Sequence, residues 1–146
     1  MKNIEFNNID TKTRISSKRV SHWLNKVASN YKVTIEHLSY NFCSDEHLLE
    51  INKRHLNHDY YTDIITFDIS DVPEVIEGDI YISVDRVKAN AKENGVPYMI
   101  ELQRVMAHGL LHLVGFGDKT QSEITAMRAA ENESLELAKT EFHVKH

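Results

Sequence analysis

His108-Gly-Leu-Leu-His112-Leu-Val-Gly115-Phe-Gly117-Asp118 sets two imidazoles four residues apart inside an apolar helical pattern. Residues i and i+4 of a helix share one face, so the stretch reads as the end of a buried helix with both rings on one side. Gly115 then opens a turn that returns Asp118 toward that face. Two imidazole nitrogens and a carboxylate leave a fourth position for water, which is the layout of a catalytic metal site. Taken alone, the histidine pair reads as well as two partly buried rings with ordinary hydrogen-bond partners. The glycine turn and the carboxylate favour metal. Upstream, Pro97 opens the helix, and Glu101, Arg104 and His108 form a charged stripe leading to the site. Glu101 reads foremost as a partner of Arg104 one turn away, with orientation of a ligand as its other open role.

Gly109 stands where zinc peptidases with a His-Glu-x-x-His motif carry their catalytic glutamate. A metallopeptidase-like hydrolase therefore loses its usual base. The glycine costs about 1 kcal/mol of helix propensity and thins the helix beside the metal, so that a bulky substrate or another backbone can approach. An iron oxygenase with two histidines and one carboxylate fits the ligand types, but such sites usually lie on β-strands.

Outward from this helix, the chain alternates strand and helix patterns. A short strand lies near Ile4 and Phe6. Ser16 or Ser17 caps a helix with Val20, Trp23, Leu24, Val27 and Tyr31 on one stripe. Residues 32–43 alternate as a half-buried strand with one slip, and Ser44-Asp45 caps a helix to about Leu56. Strands follow over Thr62 to Ile69 and Asp79 to Val84, joined across the acidic loop Ser70 to Gly78 as a hairpin. Asp85 caps a helix ending near Gly95, and Thr120 to about Phe142 is a long final helix. The expected fold is α/β (α+β): a small mixed β-sheet packed with helices, the metal site on a helix followed by a glycine turn.

The 146 residues, 41% hydrophobic and 27% charged, suffice for one core, so residues 1–146 read as a single domain. No apolar run reaches the roughly 18 to 20 residues that cross a bilayer, and the Met1-Lys-Asn-Ile-Glu-Phe start lacks a signal-peptide core. The expectation is a cytoplasmic protein with no membrane partner. Cys43, the one cysteine, reads as packing. A net charge of −5 argues against indiscriminate nucleic-acid binding, and no DNA partner is expected. Its distribution is uneven: residues 1–30 hold six Lys or Arg against two acids, and residues 63–79 hold six acids and no base. A local basic surface on an acidic molecule suits RNA delivered within a ribonucleoprotein, and two runs of solvated surface are the alternative.

His108-Gly-Leu-Leu-His112-Leu-Val-Gly115 resembles the signature of the YbeY family, bacterial single-strand endoribonucleases linked to ribosomal RNA maturation. The likeness continues through Asn52, Asp59-Tyr-Tyr-Thr62-Asp63-Ile-Ile-Thr66-Phe67, Gly78-Asp79-Ile-Tyr-Ile-Ser83 and the helix from Glu101, over roughly residues 30 to 120. It implies a fold of the kind already expected, with the metal helix on the sheet and Thr66 and Phe67 beside the cleft. It also implies hydrolysis of single-stranded RNA in small-subunit rRNA 3′ end maturation, with the ribosome or small-subunit proteins as partners. The chain departs from that family at two places. Asp118 occupies a third-ligand position where the family mostly has histidine, and the family's frequent arginine falls on Leu56.

Together these readings place one divalent ion on His108, His112 and Asp118, which are also the expected catalytic residues. Zinc is the expected ion, and the oxygen ligand makes manganese or iron(II) more competitive. The base is open among a metal-activated water, a substrate phosphate, Asp63 and Asp79, the first preferred and the two aspartates read as strand-start residues. Lys53, Arg54, His55 and His58 are candidates for phosphate contact or a solvated helix end. Phe67, Tyr60, Tyr61 and above all Phe116 are candidates for stacking on bases. The non-enzymatic alternative is a ribosome-assembly factor with a structural metal, whose fourth ligand would come from His55, His58 or His143.

Overall fold

The computed structural model describes residues 3–58 and 61–142. Its elements follow the expected order: β1 (Ile4–Asn8), α1 (Ser17–Asn30), β2 (Thr34–Cys43), α2 (Asp45–Leu56), β3 (Ile64–Asp68), β4 (Val75–Ser83), α3 (Val84–Asn94), α4 (Tyr98–Val114) and α5 (Gln121–Phe142). One mixed sheet has the order β1-β2-β4-β3, with β1 and β4 parallel to β2 and β3 antiparallel to β4. The parallel β1–β2 pair needs a crossover, which α1 supplies. The slip in residues 32–43 is a register shift against β4 between Ile35 and His37.

Three boundaries differ from expectation. β3 runs Ile64–Asp68 rather than Thr62 to Ile69, so Thr62 and Asp63 precede it. β4 begins at Val75, because Val75 and Ile76 pair with Thr34 and Ile35 of β2. Ile76, Ile80 and Ile82 are buried on one face, an alternation that Glu74, Glu77 and Asp79 disguise in the sequence. The β3–β4 hairpin loop therefore shrinks to residues 69–74. The cap of α3 is Ser83, whose hydroxyl accepts the Arg86 N–H at 3.1 Å. Asp85 sits in the first turn, and its carboxylate accepts the Asp45 N–H at 2.9 Å at the start of α2.

The main core lies between the sheet face carrying Leu38, Tyr40, Phe42, Ile80 and Ile82 and the apolar stripes of α1, α4 and α5. Trp23 of α1 is fully buried and donates its indole N–H to the Ser134 carbonyl of α5 at 2.8 Å, which satisfies the one polar atom of the ring. On the other face, Leu48 of α2 packs with Cys43 and Ile65, flanked by Phe67 and Tyr81. Strand alternation separates these two sets.

Three contacts seat α4 on the sheet. The Tyr40 hydroxyl donates to the Met106 carbonyl at 2.8 Å, two residues before His108. A Cβ on Gly109 would lie 2.9 Å from the Cδ1 atoms of both Ile64 and Ile80, and one on Gly78 would lie 2.6 Å from the Phe67 carbonyl oxygen and 3.1 Å from Leu113 Cδ1. Gly109 thus admits the sheet's isoleucines rather than a substrate, correcting the role expected from its place beside the metal ligand. Both glycines allow a close helix-on-sheet approach.

Candidate metal centre

α4 carries His108 and His112 on one face, as i and i+4 require, with ring centroids 4.5 Å apart and planes at 85°. The helix ends at Gly115, whose φ of +131° is open to glycine and strained for other residues. The chain then turns back, and the start of α5 fixes the loop. Thr120 Oγ1 accepts the Glu123 N–H at 3.1 Å, while Glu123 Oε1 accepts the N–H groups of Lys119 and Thr120, each at 3.0 Å. This is a capping box. Those hydrogen bonds hold the Glu123 carboxyl below its ordinary range. A Cβ on Gly117 would sit 2.7 Å from the same carboxylate, so Gly117 lets the loop close over it.

The result is a triangle of ligand atoms. His108 Nε2 and His112 Nε2 are 3.0 Å apart, and Asp118 Oδ2 lies 3.5 Å from the first and 3.2 Å from the second. Ligands about 2.0 to 2.1 Å from a tetrahedral ion are about 3.3 to 3.4 Å from one another, so the spacing fits a divalent metal. The proton positions fit too. His112 Nδ1 faces the Phe116 carbonyl at 2.9 Å, an atom that can only accept, and His108 Nδ1 faces Glu131 Oε2 at 2.7 Å. With both Nδ1 hydrogens so committed, neutral rings turn two Nε2 lone pairs and a carboxylate oxygen toward one point, an arrangement that calls for a cation.

Glu131 is the partner that sequence reading missed. It is buried on α5 and also accepts from Arg104 Nη1 at 3.1 Å. Burial alone would raise its pKa, but the hydrogen bond and charge of His108, with those of Arg104 and Arg128, outweigh burial and hold it low. Burial likewise pushes the His108 imidazole down, and Glu131, Asp63 and Asp118 together raise it. Glu101, the residue singled out for orienting a ligand, instead lies 3.9 Å from Arg104 one turn on, as the simpler reading had it.

A cleft of about 620 Å³ opens beside the triangle, walled by β3, the end of α2 and the loop after α4. Asn52, Asp63 and Thr66 line it with His108, His112 and Asp118. Asp63 is set just before β3, and burial raises its carboxyl pKa. Asp79 is elsewhere: it lies within β4 rather than at its start and accepts the Ser39 hydroxyl at 2.6 Å. Of the basic cluster, His58 lines this cleft, whereas Arg54 and His55 line a separate cavity. Lys119, which the sequence reading passed over, also lines the cleft.

The expected stacking residues are engaged elsewhere. Phe116 packs edge-on against Tyr31 at 5.3 Å and serves the site through its carbonyl. Phe67, on the opposite face of β3 from Thr66, packs against Tyr81 and His55. The Tyr61 hydroxyl donates to Glu46, and Arg86 covers its ring. Asp59, Tyr60 and His143 lie outside the described residues. Among the described residues, His108, His112 and Asp118 form the one grouping with metal-ligand geometry.

Comparison with known proteins gives the family of the chain. The sequence model described as Endoribonuclease YbeY matches residues 3–139. A protein of Cytophaga hutchinsonii named Endoribonuclease YbeY is 53% identical over 131 residues, covering 89% of this chain and 92% of that protein. A protein of the same name from Flavobacterium psychrophilum is 43% identical, covering 97% and 98% of the two chains. The solution structure of TM1509 from Thermotoga maritima shares the fold, with a TM-score of 0.67 at 23% identity over 95% of this chain and 91% of that one. The α4 signature, the element order and these matches agree: the chain belongs to the YbeY endoribonuclease family.

Proposed function

We propose that this protein is a metal-dependent endoribonuclease that hydrolyses phosphodiesters of single-stranded RNA. Its task would be ribosomal RNA processing and ribosome biogenesis, with small-subunit rRNA 3′ end maturation as the step and the ribosome or small-subunit proteins as partners, in the cytoplasm. Residues 1–146 act as one domain in this reading. The observation that carries it is the triangle of His108 Nε2, His112 Nε2 and Asp118 Oδ2 opening onto a cleft. Relatives named as endoribonucleases support the substrate class.

His108, His112 and Asp118 would hold one divalent ion. Zinc is the ion proposed, with manganese or iron(II) as competitors because Asp118 offers a hard oxygen. Such an ion supplies Lewis acidity at a phosphate oxygen and a lower pKa for an attacking water. Glu131 and the Phe116 carbonyl fix both rings in the ligating tautomer. Lys119 presents positive charge to the phosphodiester from the cleft wall, and Asp63 stands there as a carboxyl able to accept or return a proton.

A peptidase reading lacks its base, because Gly109 stands at the glutamate's position and faces Ile64 and Ile80. A structural metal would fill its fourth position with protein, whereas this group faces the cleft. The test is cleavage of labelled single-stranded and duplex RNA by chelator-stripped protein, with zinc, manganese or iron(II) added back. Metal-restored cleavage of the single strand alone is expected. Bound metal without cleavage would transfer the case to the assembly-factor reading.

A further inference from the structure

A second groove, of about 530 Å³, lies at the carboxyl ends of β1 and β4, lined by Lys12, Arg14, Asp85, Lys88, Tyr98 and Met99. Open α/β sheets place ligands outside such strand ends. We propose that this groove is a second RNA contact, a track for the phosphodiester backbone of the strand outside the catalytic cleft. The inference rests on the reading of the protein as an RNA nuclease.

The loop that carries two of the cations is built rather than loose. The Asn8 carboxamide donates to the Thr13 carbonyl and accepts the Thr13 N–H, both at 3.1 Å. Asp10 accepts the N–H and hydroxyl of Ser44 at 2.8 and 2.6 Å, and Thr13 Oγ1 meets the Tyr98 hydroxyl at 3.0 Å. Thr11 and Thr13 are half-buried, while Lys12 and Arg14 between and after them are exposed. Lys88 comes from α3, its ammonium 5.9 Å from the centroid of the Tyr98 ring, a cation–π placement that holds it over the groove.

Among the described residues, Lys12, Arg14 and Lys88 enter no ion pair. Asp85, the one acid of the groove, directs a carboxylate oxygen to the Asp45 N–H. Three cations against one acid on fixed elements leave the groove a net positive charge, a local exception in a chain of net charge −5, and such a patch concentrates phosphate. Tyr98 and Met99 supply an apolar floor. Tyr98 and His108 share α4, about 15 Å apart along its axis, a separation within the reach of one extended strand.

The test is fluorescence anisotropy of two labelled single-stranded RNAs over a salt series, one long and one just filling the cleft. Wild type is compared with the combined Lys12→Ala, Arg14→Ala, Lys88→Ala variant. For the long RNA, loss of three phosphate contacts lowers the slope of log affinity against log salt by about 2 and weakens low-salt binding roughly tenfold or more. The short RNA is unaffected. The charge-keeping Lys12→Arg, Arg14→Lys, Lys88→Arg variant restores binding, and Lys139→Ala, which breaks the exposed pair with Glu136, changes nothing. An unchanged slope and affinity in the alanine variant, or no binding of long RNA by wild type, overturns the track. Binding without cleavage defeats the nuclease reading and leaves the track standing; cleavage with unchanged affinity does the reverse.

Discussion

His108 owes its aim to a residue on another helix. The bond from its Nδ1 to Glu131 crosses from α4 to α5, so no local spacing encodes it. The sequence does hold a trace: Glu131 falls on the stripe of Met127, Ala130 and Ser134 that buries α5, and a buried acid needs a partner. His108, His112 and Asp118 were legible because one helical turn and one glycine turn bring them together. Glu131→Gln keeps the size and a hydrogen-bonding group but not the charge. It is expected to weaken metal binding roughly 10- to 100-fold, read by competition with a chromogenic chelator. Cys43 tests the opposite kind of site. Burial pushes its thiol up to about 12, so a thiol reagent should modify it only as fast as the protein unfolds; fast modification of the native protein would contradict the packing role.

Among the elements, α4 and the sheet form the frame of the site. Periodicity found each helix and strand because apolar spacing survives in the primary sequence. It misplaced the start of β4, where acids interrupt the alternation, and it gave the α3 cap to Asp85 rather than Ser83. The close approach at Gly78 and Gly109 could not be read, since it depends on which isoleucines and which carbonyl face the helix. Gly78→Ala must move the Phe67 carbonyl and is expected to destabilise by about 1–3 kcal/mol, the usual range for overpacking, measured by urea unfolding. Tyr40→Phe removes the bond to the Met106 carbonyl and should cost about 0.5–1.5 kcal/mol. Because that bond lies two residues from His108, metal affinity should fall with it.

The whole molecule is acidic, with six Lys or Arg against two acids in residues 1–30 and six acids without a base in residues 63–79. The sequence disclosed that imbalance. It could not show that Lys12, Arg14 and Lys88 meet, because α3 reaches the β1 loop only through the fold. Asp10 ties that loop to α2, and the Ser44 hydroxyl and N–H hold its carboxyl below its ordinary value although the group is exposed. A carboxylate lowered on folding contributes stability that is present above its unfolded pKa and lost as pH falls through the folded one. Asp10→Asn should therefore flatten the decline in thermal midpoint between about pH 5 and pH 3 by a small amount, with little change at neutral pH beyond the loss of that contribution.

In the function proposed above, His108, His112 and Asp118 hold the ion that RNA cleavage needs. Metal content and single-stranded RNA cleavage, measured together on wild type, His112→Ala and Asp118→Ala with circular dichroism as the control for folding, decide whether they do. Both variants are expected to fold, lose the metal and stop cutting. An Asp118→Ala protein that keeps its metal and cuts as wild type does would contradict that function.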